Sequence, residues 1–120
     1  MPTRRVLVVE DNIDGARSLA QMLRLAGHHA EYAINGYVAI DIARKFRPDV
    51  VFLDIGLPGM NGYETCRLLK REPGLDKTMI VAVTGYADEE NRQRSQAAGC
   101  HMHLAKPVDP ATLLKLVDDL

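Results

Sequence analysis

The stretch Asp49-Val50-Val51-Phe52-Leu53-Asp54-Ile55-Gly56-Leu57-Pro58-Gly59-Met60-Asn61-Gly62 decides the fold. Through Leu53 it is an apolar, β-rich run without polar alternation, the pattern of a strand buried on both faces. The run stops on a carboxylate, and a loop of Gly, Pro and Asn precedes the next helical pattern. Asp54 is therefore expected at the carboxyl end of a central strand, where open α/β sheets place their ligand sites. A lone Asp after a strand often only caps a turn. A second acidic strand end, Glu10-Asp11 after an equally apolar run, tips the reading toward function.

On the amino-terminal side, Arg5–Val9 reads as a short buried strand. Asn12 reads as the N-cap of a helix with apolar positions Ile13, Ala16, Leu19, Ala20, Leu23 and Ala26, stopped by Gly27. Gly15 within it costs roughly 1 kcal/mol relative to Ala. His29–Ile34 is a weaker, edge-like strand ending at Asn35-Gly36. Val38, Ala39, Ile42, Ala43 and Phe46 space a second helix, stopped by Arg47-Pro48.

On the carboxyl-terminal side, Tyr63, Cys66 and Leu69 space a third helix that breaks at Pro73-Gly74. Met79–Val83 is another buried strand, followed by Thr84-Gly85-Tyr86. Asp88–Ala98 is helical in propensity but polar throughout, so its hold on a sheet is weak. After Gly99, Cys100–Leu104 reads as a last short strand, followed by Ala105-Lys106-Pro107. Asp109 and Pro110 start a final helix whose Leu113, Leu116, Val117 and Leu120 face the core. Strands alternating with helices predict an α/β, doubly wound five-stranded parallel sheet with right-handed crossovers. The expected strand order is 2-1-3-4-5, with the switch point between the strands that carry Glu10-Asp11 and Asp54.

At 120 residues, 47% hydrophobic and 26% charged, the chain is expected to form one domain, residues 1–120, with a full core of its own. A net charge of −1 offers no global attraction to nucleic acid or to an anionic membrane. No apolar run approaches the roughly 20 residues that cross a bilayer. Met1-Pro2-Thr3-Arg4-Arg5 leads into a strand without signal-peptide architecture, so the expectation is a cytoplasmic protein. Cys66 and Cys100 fit a reduced compartment as core fillers and match no metal spacing. His28, His29, His101 and His103 form close pairs on two strands not expected to be neighbours, which argues against a histidine metal site.

Polar residues that break the strand pattern fall at carboxyl ends: Glu10, Asp11, Asp54, Thr84 and Lys106. In a parallel sheet those ends share one rim. Two carboxylates about 4 Å apart repel by on the order of 4 kcal/mol at an effective dielectric near 20. Raising a pKa or binding a cation relieves that repulsion, and hard oxygen donors in an open cleft suit Mg²⁺. A cation, a carboxylate, a hydroxyl and a lysine together suit phosphoryl transfer, with Asp54 the nucleophile that would form an aspartyl phosphate.

Glu10-Asp11, Asp54 with Leu57-Pro58-Gly59-Met60-Asn61-Gly62, Thr84-Gly85 and Lys106-Pro107, in this order over essentially the whole chain, resemble the receiver domain of two-component response regulators. The resemblance implies the flavodoxin-like fold of the chemotaxis regulators. It implies that Asp54 accepts a phosphoryl group from the phosphohistidine of a histidine kinase or phosphotransfer protein. Asp11, Asp54 and the backbone carbonyl of Gly56 would hold Mg²⁺, with Glu10 acting through water. Thr84 and Lys106 would bind phosphoryl oxygens, and the Lys106–Pro107 peptide bond would be cis. Thr84 and His103 would act as switch residues, although His103 stands where the family usually has Tyr or Phe and admits a pH-sensitive rotamer. Gly56 and Tyr86 would flank the path of the hydrolytic water, open on the Gly56 side and covered on the other if the Tyr86 ring folds inward instead of pointing to solvent.

The polar fourth helix, the last strand and the last helix would form the signalling face, read by an output partner or an attached effector, with phosphorylation-dependent dimerisation as one mode. The resemblance implies neither direct nucleic-acid binding nor membrane binding by this domain, and no turnover beyond its own phosphorylation and dephosphorylation. Two other readings compete. A Mg²⁺-dependent aspartyl-phosphate phosphohydrolase usually carries a second Asp two residues past the nucleophile and a cap domain; here that position is Gly56, and no residues remain for a cap. A pseudo-receiver that only binds partners would lack the acidic pair, the aspartate or the lysine, and all are present.

Overall fold

The computed structural model describes residues 3–57, 59–85 and 89–120. Five strands and five helices alternate: β1 Arg5–Val9, α1 Ile13–Leu25, β2 His29–Ala33, α2 Gly36–Phe46, β3 Val50–Asp54, α3 Gly62–Arg71, β4 Met79–Thr84, α4 Glu89–Ala97, β5 Met102–Ala105 and α5 Pro110–Asp118. All strand pairs are parallel, and the sheet order is β2-β1-β3-β4-β5. Every residue of β3 is buried, as a strand at the centre of a sheet covered on both faces requires.

The period of two along each strand divides the core. Leu7, Val9, Val51, Leu53, Ile80 and Ala82 pack under α2 and α3. Val6, Val8, Val50, Phe52 and Val81 point the other way, under α1 and α5. Each such Val, Leu or Phe contributes about 1.5–3 kcal/mol by leaving water.

Side-chain caps place the helix starts. Asn12, Asn35 and Asn61 accept from Gly15, Val38 and Glu64 N–H. Asp109 accepts from Ala111 N–H, with Pro110 opening α5. Helix α2 stops where Arg47 takes the left-handed conformation, φ 51°, before Pro48, which bars further helix.

The structure departs from the sequence reading in the exposure of some helix positions and in the start of β5. Ile13 and Val38, which belong to the apolar stripes of their helices, are 48% and 38% exposed. Both lie in first helical turns at the sheet rim, where little sheet remains to cover them. Ala26, at the C-cap of α1, is exposed as well. Cys100 does not open β5: its N–H closes the end of α4 on the Ser95 carbonyl at 3.0 Å, and β5 runs from Met102 to Ala105. Asp88 and Tyr86, which the sequence reading used, lie outside the described residues. Among the described residues no helix is long and apolar enough to cross a membrane.

Candidate functional site

Register brings the strand ends together. Val9 pairs with Leu53 and Asp54 with Val83, so Glu10 and Asp54 follow at the same height. Thr84 pairs with Ala105, and Lys106 comes next, its N–H on the Thr84 carbonyl at 2.8 Å. Five residues spread over nearly a hundred positions thus reach one rim.

Asp54 is 5% exposed, and both of its carboxylate oxygens are engaged. Gly56 N–H donates to Oδ1 at 2.9 Å, and Lys106 Nζ donates to Oδ2 at 2.8 Å. The close approach of Gly62 shapes the loop that supplies Gly56. Gly62 N–H donates to the Ile55 carbonyl, and a Cβ on it would stand 2.8 Å from the Asp54 carbonyl oxygen. A Cβ at Gly56 would sit 3.5 Å from Asp54 Oδ1, so any larger residue there would stand beside the carboxylate. The Lys106–Pro107 bond is cis, as the resemblance implies.

Glu10, Asp11 and Asp54 each offer a carboxylate oxygen, and these lie within 4.8 Å of one another. Burial first, and the Asp54 charge second, push Glu10 above the usual carboxylate range, against the pull of Lys106. Burial works against the charge on Lys106, but its hydrogen bond to Asp54 and the charges of Asp54, Glu10 and Asp11 outweigh it and raise its pKa. The set is all hard oxygen with no thiolate or imidazole, and its repulsion is only partly met by one lysine. Those features fit Mg²⁺.

A cleft of about 670 Å³ runs over this group, lined by Asp11, Asp54, Gly56, Thr84 and Lys106. Asn61, Tyr63 and Arg94 also line it, and the sequence reading assigned none of these three to the site. The Arg94 guanidinium lies over the Tyr63 ring, 4.4 Å from its centroid. The spacing of α3 marked Tyr63 as core, and Arg94 was one charge in a polar run, so only their meeting across the fold reveals them. A more apolar cleft of about 540 Å³ between α1 and α5 shares Asp54 and Lys106 with the first and adds Glu10, Phe52 and Leu113.

His103, on β5, receives or gives a hydrogen bond at 3.0 Å between Nδ1 and Ser95 Oγ of α4. Its Nε2 is buried and has no partner among the described residues. His28 and His101 have structural partners. His28 Nε2 meets Asp118 Oδ1 at 2.9 Å while its Nδ1 accepts Arg4 N–H. His101 Nδ1 accepts Ile80 N–H. The two histidine pairs sit at opposite edges of the sheet.

Comparison with known proteins agrees with this geometry. The family model described as "Response regulator receiver domain" matches residues 6–118. PilH of Pseudomonas aeruginosa is 34% identical over 114 residues, covering 95% of this chain and 94% of that protein. The polar-differentiation response regulator DivK of Brucella anthropi is 29% identical over 114 residues, covering 95% and 93%. Among solved structures, the chemotaxis protein CheY4 of Vibrio cholerae superposes with a TM-score of 0.91 at 31% identity over 98% of both chains. The receiver domain of the sensor histidine kinase PA1611 from Pseudomonas aeruginosa superposes at 0.85 with 28% identity over 98% of this chain and 97% of that one, and it holds a magnesium ion coordinated in its active site cleft. A parallel sheet in the order 2-1-3-4-5, an acidic rim and a family match over nearly its whole length lead to one conclusion: this chain belongs to the response regulator receiver domain family.

Proposed function

We propose that this receiver takes a phosphoryl group from the phosphohistidine of a histidine kinase or phosphotransfer protein onto Asp54. The observation that carries the reading is the double restraint on that carboxylate by Gly56 N–H and Lys106 Nζ, at the switch point of the sheet. The restraint fixes the carboxylate plane and leaves the cleft side open to an approaching phosphorus atom. A carboxylate oxygen of Asp54 bonds to phosphorus as the phosphorus–nitrogen bond breaks, and the departing imidazole takes up a proton from water.

Lys106, freed from Asp54 Oδ2 as that oxygen loses charge, turns to a phosphoryl oxygen. The Thr84 hydroxyl, at the end of the neighbouring strand, donates to another. Asp11, Asp54 and the Gly56 carbonyl would hold Mg²⁺, with Glu10 through water, and the ion would neutralise charge on the phosphoryl oxygens. Movement of Thr84 toward the phosphoryl group loosens the wall against His103 and α4, so the α4–β5–α5 face changes shape for an output partner. The chain acts as a switch and turns over only its own phosphoryl group.

Intact-mass spectrometry after acetyl phosphate treatment tests this. One phosphoryl group is expected, dependent on Mg²⁺ and absent in Asp54→Asn. Unchanged labelling of that variant would overturn the assignment. Asp11→Ala should weaken Mg²⁺ binding, read by titration of the ion without any phosphodonor.

A further inference from the structure

Away from the acidic cleft, the two thiols of the chain meet. Cys66 lies on the buried side of α3, and Cys100 lies in the turn that closes α4. Their Sγ atoms stand 3.1 Å apart, with the Cys100 thiol donating to Cys66, and both cysteines are free and buried. The Cys66 thiol in turn donates to the Ala98 carbonyl at 3.2 Å. Two small residues filling core space would account for the burial. They would not account for sulfur aimed at sulfur, nor for the surroundings.

Cys100 lines a surface pocket of about 180 Å³ together with Ser95, His101, Met102 and His103. That volume admits several molecules the size of water, at about 30 Å³ each. Lys70 stands over the pair's outer side: its Cγ would be 3.0 Å from a Cβ on Gly99, and its Nζ is 3.4 Å from His101 Nε2. The Cys100 thiol, then the charges of Lys70 and Arg67, hold Cys66 below the usual thiol range against its burial. The same hydrogen bond and burial hold Cys100 protonated. A disulfide requires about 2.05 Å between sulfurs, so the pair needs to close by roughly 1 Å.

We propose that Cys66 and Cys100 are a redox modification site, converted by a small hydroperoxide into an intramolecular disulfide. Cys100, the cysteine that lines the pocket, loses its proton and attacks one peroxide oxygen. The sulfur–oxygen bond forms, the oxygen–oxygen bond breaks, and with hydrogen peroxide the departing oxygen leaves as water. Cys66 gives up its own proton and attacks the sulfenic sulfur of Cys100. The sulfur–sulfur bond forms, the sulfur–oxygen bond breaks, and hydroxide leaves as a second water after taking a proton. The two sulfurs lose two electrons, and the peroxide gains them. The bond ties α3 to the turn between α4 and β5, and it forms without any part played by Asp54.

The experiment exposes the folded full chain to hydrogen peroxide, then unfolds it in an alkylating reagent. Both thiols are expected to disappear together, with a monomer lighter by two hydrogens and one proteolytic peptide pair joined through Cys66 and Cys100 that dithiothreitol separates. Cys100→Ser should leave Cys66 alkylated after the same exposure. Overoxidation of Cys100 with Cys66 still alkylated, a disulfide between two chains, or two intact thiols would each overturn the proposal. So would loss of the Cys66 thiol in Cys100→Ser at the wild-type rate.

Discussion

Helices α3 and α4 flank the same face of the sheet and are held to it by different physics. Helix α3 buries Tyr63, Cys66 and Leu69, three residues apart along one stripe, and Asn61 caps its start. Among the described side chains of α4, the buried one is Ser95, a hydroxyl, with Ala98 and Cys100 buried just beyond the helix end. The contacts shown by the described side chains of α4 are polar and specific: Ser95 to His103, and the stacking of Arg94 on Tyr63. An apolar stripe resists displacement over a whole helix, whereas single directional contacts release one at a time. The helix next to Thr84 and His103 is therefore the one that can shift at low cost.

Amide hydrogen exchange should show the largest contrast. Opening α3 exposes Tyr63 and Leu69, each worth about 1.5–3 kcal/mol, and each 1.4 kcal/mol is about tenfold in an equilibrium. Amides in the body of α4 should exchange about a hundredfold faster than those of α3. Equal protection would break the comparison.

Truncation comes next. Leu69→Ala in α3 should cost about 2–5 kcal/mol in urea unfolding. Arg94→Ala in α4 removes a cation–π contact at an exposed site and should cost no more than about 1 kcal/mol. A loss above that for Arg94 would mean that α4 is anchored by more than its stacking. Ser95→Ala should fall between them, about 1–2 kcal/mol, because it strips the His103 ring of its Ser95 partner. It should also raise exchange in α4 without changing that in α3.

The smallest effect is a pH dependence at the edge between the two helices. Burial first, and the Lys70 ammonium second, lower the pKa of His101 below its ordinary value. Its Nδ1 accepts the Ile80 N–H, which needs a neutral ring. Because the folded pKa lies below the unfolded one, this contribution is complete above about pH 6.5 and is lost as pH falls through the folded value. The urea midpoint should drop between about pH 7.5 and about pH 5.5, and His101→Asn should flatten that slope. A slope unchanged in the variant would assign the titration to another group.

Much of the site was legible because a parallel sheet turns sequence position into spatial position. Apolar runs that end on Glu10, Asp54, Thr84 and Lys106 need only a parallel sheet to share one rim, and the βα alternation implies that sheet. Exposure was less legible. Ile13 and Val38 obey the helical period yet lie outside the core, because periodicity gives a direction around a helix and not how far the sheet extends beneath it. The start of β5 was misread for a related reason: Cys100 is apolar enough for a strand, but the closing turn of α4 claims its N–H.

The amino-acid sequence alone determined the fold class, the acidic rim and its lysine, since hydrophobic period, chain breaks and charge are local properties. Only the tertiary structure decided which atoms touch. It set Gly56 N–H and Lys106 Nζ on separate oxygens of Asp54, laid Arg94 on Tyr63, and brought Cys66 within 3.1 Å of Cys100. Such contacts join residues far apart in the chain through packing on a shared sheet face, and no window of sequence contains both partners.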